Sequence, residues 1–216
     1  MRVALLVGLA LVTGGADPTP ASSALPWVFN LDQVRAVDVG DPLVTFAMDA
    51  DVDPSCDEVT FPGYALTANV ASAGGDETIL ASFAHGVMVY GREGQLLTST
   101  PGFSCEGSAD ELDVLAVGTV FGVPTIAIVA TTGGRREQLT WLGLFRVAAN
   151  GRLEATFAGA IEQREDGIVR RGSVTFLPGA LLVRDPMGGV GFWTFDRVSG
   201  VYIPRGGLTG VEPPHP

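Results

Sequence analysis

The chain has no lysine among its 216 residues, which excludes chemistry built on a lysine Schiff base or on the lysine of a phosphate-binding loop. It has two cysteines and two histidines, too few for a clustered Cys/His zinc site. Positive charge is scarce as well: all 13 basic residues are Arg, against 24 Asp and Glu, for a net charge of −11. Such a surface repels phosphate backbones, so nucleic acid is not expected as a partner. No apolar run reaches the roughly twenty residues of a membrane-spanning helix. A Gly-x-Ser-x-Gly nucleophile elbow is missing. A Ser/His/Asp triad would have only His85 to draw on within the body of the chain, since His215 lies in the tail 206–216. His85 itself reads as an exposed turn residue between two strands, and no catalytic residue is assigned.

What is present begins with an address. Met1 and Arg2 give a positive start, Val3 to Val12 an apolar run, and Thr13-Gly14-Gly15-Ala16 a small-residue end, the three parts of a secretory signal peptide. Residues 1–16 are therefore expected to be removed, leaving Asp17 or, as the alternative, Leu25 at the start of an exported protein, periplasmic or extracellular. Residues 25–205 are read as one β-repeat domain, able to bury roughly 70% of the surface of its unfolded chain, and residues 206–216, ending Glu212-Pro213-Pro214-His215-Pro216, as a flexible tail. Cys56 and Cys105 form an even pair in an oxidising compartment and are expected to bond. Closing that loop of about fifty residues would stabilise the fold by roughly 4 kcal/mol if chain entropy dominates.

Runs rich in Val, Ile, Thr and aromatics predict strands over Tyr64–Val70, Thr78–Phe83, Leu112–Val120, Thr125–Thr131, Leu139–Val147, Val174–Leu177, Ala180–Val183 and Val190–Phe195. Helical signals are few: Ser108 with Glu111 has capping-box spacing, and Leu31, Val34 and Val37 keep a three-residue period. An all-β domain with at most one short helix follows. A weak repeat runs through the strands. Thr78–Phe83 leads to Val87–Tyr90, a turn with Gly94, then Leu96. Thr125–Ala130 leads to Trp141–Phe145, a turn with Gly151, then Leu153. Ala180–Val183 leads to Phe192–Phe195, a turn with Gly200, then Tyr202. The anchors Tyr90, Phe145 and Phe195 stand 55 and 50 residues apart, the period of propeller blades. Tyr90, Phe145 and Phe195 are expected at equivalent, largely buried places.

The first copy, Gly75-Asp76-Glu77-Thr78-Ile79-Leu80 onward to Val89-Tyr90-Gly91-Arg92-Glu93-Gly94, resembles the blade repeats of bacterial FG-GAP and VCBS-type β-propellers. The resemblance implies blade-like antiparallel meanders and a surface that binds partners or carbohydrate. Four blades fit the length, the first built from Val34 to Val70, and a β-sandwich is the alternative. Calcium loops, also usual in that family, are not carried over, because no copy contains the Asp-x-Asp-Gly-Asp-Gly pattern.

Two acidic loops hold the only constellation with chemistry in it. Asp49, Asp51, Asp53, Asp57 and Glu58 begin like an EF-hand loop, but Pro54 stands where the turn glycine belongs and Thr60 where the bidentate glutamate belongs. A Cys56–Cys105 bond would bring this loop beside Glu106, Asp110, Glu111 and Asp113. Mutual repulsion of these carboxylates favours a hard cation, and Asp49, Asp51, Asp53, Asp57, Glu58, Asp110 and Asp113 are the candidate ligands of a weak calcium site, with a dissociation constant on the order of 10⁻⁴ to 10⁻³ M. Solvated loops relieve the same repulsion. Glu162, Glu165 and Asp166 could be nominated as hydrolytic carboxylates, but a hairpin loop at 162–167 accounts for them. The last third, Arg135 to Pro216, carries ten Arg and eight acids, so an anion site there is a further option. The leading expectation is an exported, non-catalytic β-domain that binds a protein or carbohydrate without a cofactor, and the alternative is a secreted carboxylate-dependent hydrolase.

Overall fold

Short apolar and β-branched runs bounded by Gly, Pro and Asp favour extended strands and tight turns, and the computed structural model is built from these. It describes residues 63–71, 75–103 and 110–206, with the backbone of Phe29–Asn30 and Arg35–Val37. Three antiparallel sheets hold all the described strands. The first sheet runs β2 (Arg35–Val37), β3 (Gly63–Ala68), β4 (Glu77–Ser82), β5 (Gly86–Tyr90) and β6 (Leu96–Ser99). The second starts at β1 (Phe29–Asn30) and continues β7 (Glu111–Val120), β8 (Val123–Gly133), β9 (Glu137–Val147), β10 (Leu153–Glu165) and β11 (Ile168–Arg171). The third is β12 (Ser173–Leu177), β13 (Ala180–Arg184), β14 (Val190–Phe195) and β15 (Tyr202–Pro204). Each sheet is a meander whose spatial order is chain order, apart from β1 on the edge of β7.

The second sheet lies between the other two. Side chains alternate across a strand, and in β8 both sets are buried: Ile126, Ile128 and Ala130 belong to a cluster with Ile79, Val87 and Val89 of the first sheet, and Ala127 and Val129 to a cluster with Leu181, Val183 and Tyr202 of the third. β9 repeats the division, with Trp141 and Phe145 on one side and Leu142 and Leu144 on the other. Double burial is why Ile126–Ala130 and Trp141–Phe145 read as unbroken apolar runs. Each fully buried Leu or Ile here contributes roughly 1.5–3 kcal/mol. Aromatic rings add to both contacts: Phe103 meets Trp141 edge-on at 5.1 Å and Phe157 meets Trp193 edge-on at 5.2 Å between ring centroids, while Phe195 and Tyr202 pack at 5.2 Å within the third sheet.

The repeat is realised as three hairpins, β5–β6, β9–β10 and β14–β15. Their turns need a left-handed residue, and Gly94, Gly151 and Gly200 supply it with φ of +78°, +79° and +70°. Two side chains tie neighbouring hairpins together. Leu153 N–H donates to Thr98 Oγ1 at 2.8 Å, joining the second sheet to the first, and Arg146 Nη2 donates to the Ser199 carbonyl at 2.7 Å, joining it to the third. The chain passes from the second sheet to the third through Gly172, where a Cβ would run into the Arg184 carbonyl oxygen.

The expected all-β class and blade-like meanders are what the fold contains, and several finer expectations are corrected. Among the described residues there is no helix. Glu111 opens β7 instead of closing a capping box, and residues 35–37 pair with β3, because a free strand edge outweighs a weak helical period. The strands assigned to a separate first blade, Val34–Val70, join the sheet of the first repeat, giving three described sheets where four blades were expected. Residues 162–165 are strand, leaving Asp166-Gly167 as the turn. By the turn register Tyr90 pairs Leu96 and Phe195 pairs Tyr202, but the residue that pairs Leu153 is Val147; Phe145 sits two residues earlier on the same face. Tyr90 and Phe145 are buried, while Phe195 is half-buried.

Candidate functional site

Of the proposed calcium ligands, Asp49, Asp51, Asp53, Asp57 and Glu58 lie outside the described residues, as do Cys56 and Cys105 and the signal segment 1–16. Asp110 and Asp113 are described and brace one end of the second sheet. Asp110 Oδ1 accepts the Gly133 N–H at 2.9 Å. Asp113 is the extra residue of a bulge between Leu112 and Val114, and its Oδ2 accepts from Thr131 Oγ1 at 2.7 Å. The Thr131 proton is thus committed, so Thr140 donates to Thr131 Oγ1 at 3.0 Å. Glu111, Thr131, Thr140, Glu162 and Arg171 follow one another across five strands, and Glu162 accepts from Arg171 Nε at 3.0 Å. Burial raises the Asp113 pKa; the Thr131 hydrogen bond opposes the rise, and the negative charges of Glu111 and Glu162 add to it. The row ends in ion pairs that hold strands together. Among the described residues no group of three or more His, Cys, Asp or Glu is placed to hold a metal.

Two of the three carboxylates considered for hydrolysis are similarly engaged, Glu162 with Arg171 and Glu165 with Arg170 at 3.0 Å each, and the third, Asp166, sits in the β10–β11 turn. His85 is half-buried, not an exposed turn residue. Its Nδ1 is 3.0 Å from Ser82 Oγ, which also accepts the His85 N–H at 3.1 Å. Burial lowers its pKa, favouring the neutral ring. A neutral His beside a Ser is the start of a nucleophile pair, but Ser82, the last residue of β4, is buried, with 2% of its surface exposed. A cleft of about 240 Å³ between β3 and the β7–β8 hairpin is lined by Leu66, Asn69, Val117 and Pro124 among others, with no charged side chain.

The site that sequence reading missed is the outer face of the third sheet. Thr175, Leu182 and Phe192 are cross-strand neighbours on β12, β13 and β14, and beside them run Ser173, Arg184 and Val190. Leu182 is 38% exposed, Phe192 40%, Val190 43%, and Met187, in the turn between β13 and β14, 61%. Beyond Phe192 the chain continues to Arg205, whose N–H donates to the Phe192 carbonyl at 2.7 Å and whose Nε donates to Thr194 Oγ1 at 2.8 Å. Arg184 and Arg205 are both exposed. The face is therefore an apolar strip flanked by two guanidinium groups, with the Asp196 carboxylate just past the end of β14 within electrostatic reach of Arg205. The available signal was composition: in Ala180–Val183 both alternating sets are apolar, and in Val190–Phe195 the set that includes Val190 and Phe192 is apolar except for Thr194, more than a sheet with one solvated face requires.

The repeat shows what this face corresponds to. Counting three residues back from the residue that closes each hairpin, Val87, Leu144 and Phe192 are equivalent, and their partners on the preceding strand are Ala81, Ala127 and Leu182. In the first two copies these pairs are fully buried against the next sheet. In the third copy the same pair is open. Compared with known proteins, the chain matches no family model, no curated protein and no solved structure.

Proposed function

We propose that this is an exported, non-catalytic β-domain that binds another protein at the cell envelope or outside the cell, using the outer face of the third sheet. The observation that carries the reading is the exposed Leu182–Phe192 pair at a repeat position that is otherwise buried between sheets. Contiguous exposed apolar patches of this kind mark interaction surfaces on soluble domains. A protein fits better than a carbohydrate, because sugar faces stack on aromatic rings and Phe192 is the only aromatic among the exposed large apolar side chains described. Kinship with propeller blades belongs to the same proposal and rests on the repeat residues.

Photo-crosslinking in the cells that make the protein tests the reading. A photoreactive residue at Phe192 or Leu182 is expected to capture one discrete protein, whereas the same residue at Asn150, on the β9–β10 turn, captures none. Equal capture from Asn150, or none from Phe192, overturns it. Export is tested separately by N-terminal sequencing: Asp17 is expected, and an intact Met1 in the exported fraction overturns it.

A further inference from the structure

We infer that the turn between β9 and β10 modifies itself: Asn150 converts to aspartate and isoaspartate in the folded protein, with water as the only co-reactant. The inference is independent of the docking face. Asparagine is among the thermolabile residues, and of the three in this chain only Asn150 precedes a glycine.

The reaction is an attack on the Asn side chain by the backbone nitrogen of the next residue. The Gly151 nitrogen gives up its proton to solvent base and forms a bond to Asn150 Cγ; the bond from Cγ to the side-chain nitrogen breaks, and ammonia leaves. Water then opens the cyclic imide at either of its carbonyls, giving aspartate or isoaspartate. Water is taken up, ammonia is released, and the turn gains a negative charge.

The geometry of the turn suits each step. Gly151 has no side chain to shield its nitrogen, and nothing lies within 4 Å of where its Cβ would be. Asn150 and Gly151 are both exposed, so base and water reach them. Arg152 N–H donates to Asn150 Oδ1 at 2.9 Å, and charge develops on that oxygen during the attack, so its donor is already in place. Gly151 N–H donates to the Ala148 carbonyl at 2.9 Å, a bond that has to open first. Ala148 N–H donates in turn to the Arg152 carbonyl at 2.8 Å, which keeps the strands paired while the turn alone opens.

Asn69 is exposed as well but is not set up to react. The nitrogen that follows it belongs to Val70, a buried β-branched residue, and its N–H donates to Glu77 Oε2 at 2.8 Å. Loss of that proton would leave a second anion beside the carboxylate. At Asn150 the product has a structural reach. Isoaspartate carries the chain through its former side chain and lengthens the turn by a methylene. Three residues on, Leu153 N–H donates to Thr98 Oγ1 at 2.8 Å, the link between the first two sheets, and the lengthened turn loosens it.

The test holds the folded full chain at mildly alkaline pH, samples it over weeks and digests each sample at acidic pH for mass spectrometry. A gain of about 1 Da is expected in the peptide that contains Asn150. It should appear at least about tenfold faster than in the peptide that contains Asn69, where the bond to Glu77 must break first. Labelling by an isoaspartyl methyltransferase should mark the Asn150 peptide, and the Asn150→Gln variant, whose side chain would have to close a larger ring, should stay unlabelled. Hydrogen exchange at Leu153 should be faster in the isoaspartyl fraction than in fresh protein, and unchanged in Asn150→Asp, which adds the charge without the methylene. Equal rates at Asn69 and Asn150, or modification only after urea has unfolded the chain, overturn the site. Unchanged exchange at Leu153 in the isoaspartyl fraction overturns its link to the first sheet.

Discussion

Leu144 and Phe192 occupy the same place in successive copies of one repeat, three residues before the hairpin-closing pair, and their surroundings are opposite. Leu144 is sealed between the second and third sheets, while Phe192 is open to solvent on the far side of the third. The two strands are about equally apolar. Hydrophobic pattern thus marks which face of a strand is made for packing, and the tertiary arrangement decides whether that face is filled. In the third copy the pattern extends one layer further than the described chain.

Substitution in pairs gives the sharpest test of that contrast. Leu144→Ala should destabilise the fold by about 2–5 kcal/mol through lost burial and the cavity left behind, whereas Phe192→Ala should cost less than about 1 kcal/mol, as surface changes usually do. Equal costs in denaturant titration would show that Phe192 is packed and would break the comparison. Next in size is the tie between the layers. Arg146→Ala removes the charge-assisted bond to the Ser199 carbonyl and the 3.2 Å pair with Glu154, and should cost about 1–2 kcal/mol. Hydrogen exchange should then accelerate in β14–β15 and not in β4–β5; uniform acceleration would mean that Arg146 supports the whole fold. Thr98→Val, which strips the acceptor from the Leu153 N–H between the first two layers, should cost about 1 kcal/mol, seen as a lower denaturation midpoint at unchanged slope.

The smallest effect is one of pH. Burial and the neighbouring acids raise the Asp113 pKa above its ordinary value of 3.8, so the folded state favours its protonated form. Its stabilising contribution is full below that ordinary value and is lost as pH rises through the raised one. Asp113→Asn stays uncharged and can still accept from Thr131. Its melting temperature relative to the unsubstituted protein should therefore rise between pH 3 and pH 7; a flat or falling difference would mean that Asp113 is stabilised as the carboxylate.

Many strand positions were legible in the sequence because period and turn chemistry are local, but β10, the longest strand at 13 residues, was not among those expected. The eight strands expected from Tyr64 to Phe195 are present with ends shifted by a residue or two. The hairpin glycines were legible for the same reason, since few residues other than glycine accept their backbone conformation. Partnership between distant strands was not. The three-residue period of Leu31, Val34 and Val37 was too short to keep residues 35–37 from pairing with β3, and nothing in the sequence around Arg35 announces the sheet that Arg35–Val37 joins. The candidate site was missed because exposure is a property of layers: Val190 and Phe192 look no different in sequence from Leu142 and Leu144. Asp110 and Asp113 were picked out for their charge and their closeness to Cys105, and the hydrogen bonds that engage them come from Thr131 and Gly133, about twenty residues away.

The meander order also has a kinetic side. Apart from β1 on β7, each pairing joins strands that are consecutive among the described ones, so most of these ladders close a short loop. Loop closure is entropically cheap at that length, and proteins dominated by near-neighbour contacts fold faster than those that must bring distant strands together. Each sheet can form hairpin by hairpin as its residues become available, and the search across the chain is left to the stacking of finished layers and to the late arrival of Phe29–Asn30 at the edge of β7.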